Sequence, residues 1–150
     1  DNDEALSILL DCGFIVLNNS NDLIYNDSNE AIMLVGLNTN DDNINYDAAF
    51  SNYNPNTYTI VLFHKPDYID NFINNYQIDL ALAGHSHLGE IRIPYLLNLA
   101  NKDHASKYIN SYYEINNTKF YITSGIGTSE YDVRINARPS INFFRLRKIA

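Results

Sequence analysis

Two apolar runs joined by one short crossover constrain this chain more than any other feature. Tyr58-Thr59-Ile60-Val61-Leu62-Phe63 reads as a strand that is apolar on both faces. Ile78–Ala83 reads as a second, apolar apart from Asp79 and stopped by Gly84. Runs of this kind suit a sheet covered on both sides. Between them, Pro66 fits the first turn of a helix that would reach Tyr76 and bury Ile69, Phe72 and Ile73. Strand, helix and strand over residues 58–83 make a βαβ unit, whose strands run parallel. The fold class is therefore α/β.

The remainder of the chain fits around that unit. Ala5, Leu6, Ile8, Leu9, Leu10 and Cys12 follow the possible N-caps Asp1–Asp3 at helical spacing, and Gly13 is a stop, so a helix is expected over 3–12 with Cys12 buried. Phe14–Leu17 reads as a short buried strand. Leu23–Tyr25 and Ala31–Leu37 read as two more, joined by polar Asn26–Glu30. Residues 38–57 form a polar loop around a short helix near Tyr46–Tyr53. A mixed tail follows Pro94, then a strand at Lys119–Thr123, a glycine turn at Gly125–Gly127, and strands near 131–136 and 141–147. No internal repeat and no linker divides the chain.

Composition narrows the function. With 150 residues, 45% hydrophobic and 13% aromatic, the chain can build one ordinary core. Ten Lys and Arg against 18 Asp and Glu give a net charge of −8. That disfavours non-specific nucleic-acid binding and adhesion to anionic membranes, both of which rest on basic surface. No apolar run approaches the roughly 18 residues of a membrane span. Cys12 is the only cysteine, so no internal disulfide forms. The Asn-rich stretches resemble prion-like composition in isolation, but apolar segments interrupt them regularly and they read as loops.

The candidate chemistry sits at the strand ends. His64 follows the first run, and His85 and His87 follow the second. Sites in open α/β sheets form outside the carboxyl ends of strands. Imidazole is also the commonest transition-metal ligand. Histidines at i and i+2 in a turn can address two nearby ions or share one. Gly84 permits a sharp turn beside them, and Ser86 leaves room between them. Arg134 and Arg138 either reach a substrate phosphate or pair with the many carboxylates. His104 and Lys65 read as solvated, Asp67 as helix-capping or dipole chemistry at the start of its helix, Asp79 as structural, and Tyr108, Tyr112 and Tyr113 as packing.

These residues carry a family resemblance. Leu62-Phe63-His64-Lys65-Pro66-Asp67 resembles the L-S-H-x-P-D segment of calcineurin-like metallophosphoesterases. Asp79–Pro94, with Gly84-His85-Ser86-His87 at its centre, resembles their D-L-x-L-S-G-H-T-H-G-G-Q-I-R-x-P segment. Tyr121–Ser129, Val133-Arg134 and Arg138-Pro139 resemble the closing segment of a bacterial subgroup often found behind a membrane anchor. The resemblance implies the C-terminal half of a two-sheet α/β sandwich. It implies His64, His85 and His87 as ligands of two divalent ions (Mn, Fe or Zn), with His64 and His85 serving one and His87 the other. It implies hydrolysis of a phosphomonoester, phosphodiester or pyrophosphate, with a small-molecule or lipid-linked substrate and Arg134 and Arg138 as substrate-binding candidates.

The sequence departs from that pattern in places. Leu88 stands where the family has Gly, Glu90 where it has Gln, and Ser140 where it has Glu. Leu88 is expected to narrow the mouth and Glu90 to add negative charge beside it. The family's Asp-x-His, Gly-Asp and Gly-Asn-His motifs have no counterpart. Residues 1–150 are therefore read as the C-terminal part of one domain, which alone is expected to be inactive and to hold metal incompletely. No catalytic residue is assigned within it. The missing half or a second copy of the chain is the expected partner. The whole protein is placed either in the cytoplasm or on a membrane through a segment outside this chain. The alternative reading is a non-catalytic binding module, a degenerate half-domain with an incomplete metal site.

Overall fold

The computed structural model describes residues 2–39, 44–93, 103–129 and 132–147. Asp1, residues 40–43 of the 38–57 loop, residues 94–102 of the tail, residues 130–131 at the start of the strand expected near 131–136, and residues 148–150 lie outside the described residues. The chain is an α/β fold whose described residues form one six-stranded mixed sheet, in the order β1 (Ser20–Tyr25), β2 (Ala31–Gly36), β3 (Tyr58–Leu62), β4 (Leu80–Ala83), β6 (Thr118–Ile122), β5 (Tyr112–Ile115).

Helix α1 spans Asn2–Asp11. Gly13 ends it at φ 81°, with Phe14 N–H donating to the Leu9 carbonyl and Gly13 N–H to that of Leu10. This is the left-handed terminus that glycine makes easy. Cys12, expected inside, is exposed, because the helix lays no covered face on the sheet. Phe14–Leu17 is not a strand either. The place beside β2 (Ala31–Gly36) is taken by β1 (Ser20–Tyr25), paired antiparallel with Ser20 opposite Gly36 and Tyr25 opposite Ala31. Phe14–Leu17 instead runs over the sheet, with Leu17 against the bare Cα of Gly36.

The parallel core follows. Short helix α2 (Tyr46–Ala49) is capped by Asn45, whose side-chain oxygen accepts from Ala48 N–H. Strand β3 (Tyr58–Leu62) lies parallel to β2 and to β4 (Leu80–Ala83), with Ile60 opposite Leu80 and Leu62 opposite Leu82. The crossover is shorter than expected. In place of a helix reaching Tyr76, a 3₁₀ segment covers Pro66–Asn71 and then breaks at Phe72. Asn71, Asn74 and Asn75 are poor helix formers. The apolar spacing there marked burial and not helix length: Ile69, Phe72 and Ile73 are all buried.

Strand β5 (Tyr112–Ile115) pairs antiparallel with β6 (Thr118–Ile122), which lies parallel to β4. Their two-residue turn, Asn116-Asn117, has φ of 50° and 67°. That is the geometry of a tight hairpin, and Asn tolerates it better than most residues. The strands expected near 131–136 and 141–147 are absent from the described residues, where Ile135 makes one bridge to Ile91.

One face of the sheet is finished. Met33, Val35, Val61, Phe63, Ala81, Phe120 and Ile122 pack with Phe50, Ile69 and Phe72 in a single buried cluster. Phe63 lies edge-on to Phe72 and stacked on Phe120, with centroids 5.4 and 5.6 Å apart. The opposite face is less covered, with Ile24, Tyr58 and Leu62 exposed.

A Cβ added at Gly36 would lie 2.4 Å from both Cβ and the carbonyl oxygen of Leu17. Backbone cannot swing aside as a flexible side-chain tip can. Gly36→Ala is therefore expected to cost about 1–3 kcal/mol, read as a lower urea midpoint at unchanged slope.

Candidate metal centre at the strand ends

Parallel pairing of β3 and β4 carries His64 and His85 to one edge of the sheet. The ladder continues past both strands, with Phe63 N–H donating to the Leu82 carbonyl and Gly84 N–H to that of His64. Thr39 fixes the end of β3. Its buried hydroxyl accepts from His64 N–H at 3.1 Å and Lys65 N–H at 3.0 Å. This role leaves no local mark, because Thr39 sits in a polar run read as loop.

The turn after β4 is strained. His85, His87 and Leu88 have φ of 61°, 46° and 52°, followed by Gly89 at 78°. Each non-glycine residue there costs about 1–2 kcal/mol. Buried Ser86 braces the turn, its hydroxyl accepting from Leu88 N–H.

Two imidazoles meet at this edge. His85 Nδ1 lies 3.2 Å from His64 Nε2, and His85 Nε2 lies 2.9 Å from the carbonyl oxygen of Asp103. A carbonyl only accepts, so Nε2 of His85 carries the proton and Nδ1 carries the lone pair. Two nitrogens bound to one tetrahedral ion at 2.0–2.1 Å stand about 3.4 Å apart. The observed separation is close to that, so the donor pair fits a divalent ion once His64 Nε2 presents its own lone pair.

His87 is held differently. Its Nδ1 lies 2.5 Å from Oε1 of Glu90, and a Cβ at Gly125 would lie 3.6 Å from its Nε2. Among the described residues no three His, Cys, Asp or Glu side chains converge as a metal-binding group. The structure thus joins His64 to His85 and places His87 on the same turn, outside that pair.

Among the described residues neither arginine pairs with a carboxylate. Arg134 donates to the carbonyls of Ser124, Gly127 and Ala137, bracing the glycine turn. Arg138 is exposed and, among the described residues, its side chain makes no hydrogen bond, while its carbonyl accepts from Ser124.

The 103–108 segment supplies the carbonyl behind His85. Asp67 sits in the first turn of its helical segment, where an acidic residue suits the dipole, but its carboxylate does not cap that turn. Its carboxylate accepts from the N–H groups of Ser106, Lys107 and Tyr108 at 2.9–3.2 Å, and its own N–H donates to the His104 carbonyl. Asp70 adds an ion pair with Lys107 at 2.6 Å and accepts from the Tyr108 hydroxyl. Lys65 is not simply solvated but pairs with Asp103 at 3.0 Å. His104 is exposed beside Tyr68 and Asp103. Asp79 is structural, accepting from Thr59 N–H. Tyr108 and Tyr113 pack on Phe120, whereas Tyr112 lies on Tyr121.

Comparison with known proteins adds to this geometry. The chain is 28% identical over 105 residues to "Uncharacterized metallophosphoesterase YkuE" of Bacillus subtilis, a match covering 70% of this chain and 36% of that protein. It is 30% identical over 87 residues to "Phosphodiesterase YaeI" of Escherichia coli, covering 58% and 32%. It is 43% identical over 47 residues to "UDP-2,3-diacylglucosamine pyrophosphatase LpxG" of Chlamydia muridarum, covering 31% and 14%. Over this stretch the chain is similar to proteins named metallophosphoesterase, which supports the calcineurin-like resemblance carried by its motifs. It spans about a third of the length of the first two of these relatives. No family model matches, and no solved structure does.

The departures from the metallophosphoesterase pattern have structural places. Leu88 packs inward on the core, which offsets the strain of its φ. Ser140 bonds Ser124 through their hydroxyls at 2.8 Å, tying the tail to the glycine turn. Glu90 is buried under His87 and is not a charge at an open mouth.

Asp67→Ala leaves three N–H groups without their acceptor. It is expected to cost about 1–3 kcal/mol and to speed amide hydrogen exchange at Ser106–Tyr108. Burial pushes the Asp70 carboxyl up, but the Lys107 and Tyr108 hydrogen bonds and the Lys107 charge outweigh it and hold it below its ordinary value. Its stabilisation is therefore complete above the unfolded value near about pH 4 and lost as pH falls through the lower folded value. Denaturation of wild type and Asp70→Asn should converge there.

Proposed function

We propose that the complete protein hydrolyses a phosphoester or a phosphoanhydride, and that this chain supplies His64, His85 and His87 as metal ligands. The observation that carries this reading is the convergence of His64 and His85 at the ends of adjacent parallel strands, 3.2 Å apart. The printed names of the relatives, a metallophosphoesterase, a phosphodiesterase and a pyrophosphatase, support a phosphorylated substrate.

His64 and His85 would hold one divalent ion and His87 the other, with Mn, Fe or Zn as the candidates. A bound pair of such ions neutralises phosphoryl oxygens and supplies hydroxide at neutral pH. The chain's own residues prepare this. The Asp103 carbonyl keeps the proton on Nε2 of His85, so Nδ1 faces His64. Thr39 holds the backbone beneath His64. Of the two candidate arginines, Arg138 is the one open to a substrate phosphate, since Arg134 is spent on carbonyls. A lipid-linked phosphate remains within this substrate class, and no described helix is long and apolar enough to cross a membrane.

One observation favours the second reading, a binding module. No three candidate ligands converge among the described residues.

The two readings separate in Mn²⁺ titration calorimetry of the complete protein, with bis-p-nitrophenyl phosphate as substrate. His85→Ala and His87→Ala are each expected to lose more turnover than the 10–100-fold typical of removing an outer-shell partner, with an unchanged circular dichroism spectrum. Near-normal turnover in either variant sinks the ligand assignment. Wild-type protein that neither binds Mn²⁺ nor turns over leaves the binding module standing.

A further inference from the structure

Glu90 is the buried carboxylate that the hydrolytic reading leaves without work. Its side chain is 8% exposed. Oε1 accepts from Ser129 N–H at 2.8 Å and lies 2.5 Å from Nδ1 of His87, while Oε2 accepts from the Ser129 hydroxyl at 2.8 Å. A carboxylate with these neighbours is an acceptor at both oxygens. The proton of the His87 contact therefore belongs to Nδ1, and the lone pair is left on Nε2. That nitrogen faces Gly125, where any side chain would stand 3.6 Å from it.

We propose that Glu90 is a positioning residue: it fixes the Nδ1–H tautomer of His87, so that Nε2 is the nitrogen offered to a ligand, and it clasps the 124–129 segment to the histidine turn through Ser129.

The ring is thereby locked by the same logic as its neighbour with the opposite outcome. His85 keeps its proton on Nε2, donating to the carbonyl behind it, and presents Nδ1. His87 keeps its proton on Nδ1, donating to the carboxylate behind it, and presents Nε2. Partners of this kind orient metal-bound histidines generally. A neutral side chain at position 90 still accepts from Nδ1 if it is Gln, but without charge assistance the bond is longer and weaker. The clasp is two-sided, because Arg134 holds the same segment through the Gly127 carbonyl. The ligand role of Nε2 rests on the metal reading above, whereas the tautomer does not.

The test is imidazole ¹H–¹⁵N correlation spectroscopy of the full chain, free of metal, joined to Co²⁺ titration. In wild type, His87 should be the Nδ1–H tautomer with a far-downfield proton. Glu90→Gln should keep the tautomer and move that proton upfield. Glu90→Ala should shift the ring to the Nε2–H form and weaken Co²⁺ binding by about 10–100-fold, with Gln recovering most of it. An unchanged tautomer in Glu90→Ala overturns the proposal, as does an unmoved proton in Glu90→Gln. The Gln variant decides alone if the Ala variant does not fold. His87→Ala with unchanged Co²⁺ binding overturns the metal reading while the tautomer result stands.

Discussion

The parallel register of β3 and β4 is the constraint on which the site depends. With Leu62 opposite Leu82, the residues that follow each strand leave the sheet side by side. A slip of one residue would exchange the buried and open faces of either strand. The register is held by burial, since Val61 and Ala81 are wholly enclosed on the finished face. The imidazoles therefore owe their meeting to apolar packing several residues away. Thr39, Asp103 and Glu90 then adjust rings that the sheet has already brought together.

Much of this was legible in sequence. Uninterrupted apolar runs ended by histidine announced the strands and the edge where they stop. Gly13 and the Asn-rich turns were legible too, since positive φ leaves a compositional mark. What stayed hidden was the work of hydroxyls, carbonyls and carboxylates across long separations. Thr39 lies 25 residues before the His64 amide it accepts from. Asp67 reaches amides 39–41 residues onward. No local pattern encodes such bonds. The 66–76 region failed for another reason. The same spacing of apolar residues serves a helix or an irregular segment with one buried side, and the asparagines decided for the latter.

The sheet has one finished face and one open one. Parallel strands are ordinarily covered on both sides, yet Tyr58, Leu62 and Ile24 remain exposed. Leu6, Leu9 and Leu10 on α1 and Ile141 and Phe143 near the other end add to the uncovered apolar surface. At about 25 cal/mol per Å², such area is costly to leave in water. A two-sheet sandwich, the arrangement that the family resemblance implies, is one in which a face of this composition is covered.

The left-handed run at His85, His87 and Leu88 bears on the order in which the molecule assembles. No local preference holds three such residues in place, so the turn forms only after the sheet, the inward seat of Leu88 and the Glu90–Ser129 bonds exist to impose it. The geometry of the site thus depends on packing made elsewhere in the chain. Its ligand geometry can be lost while the strands beneath it remain intact.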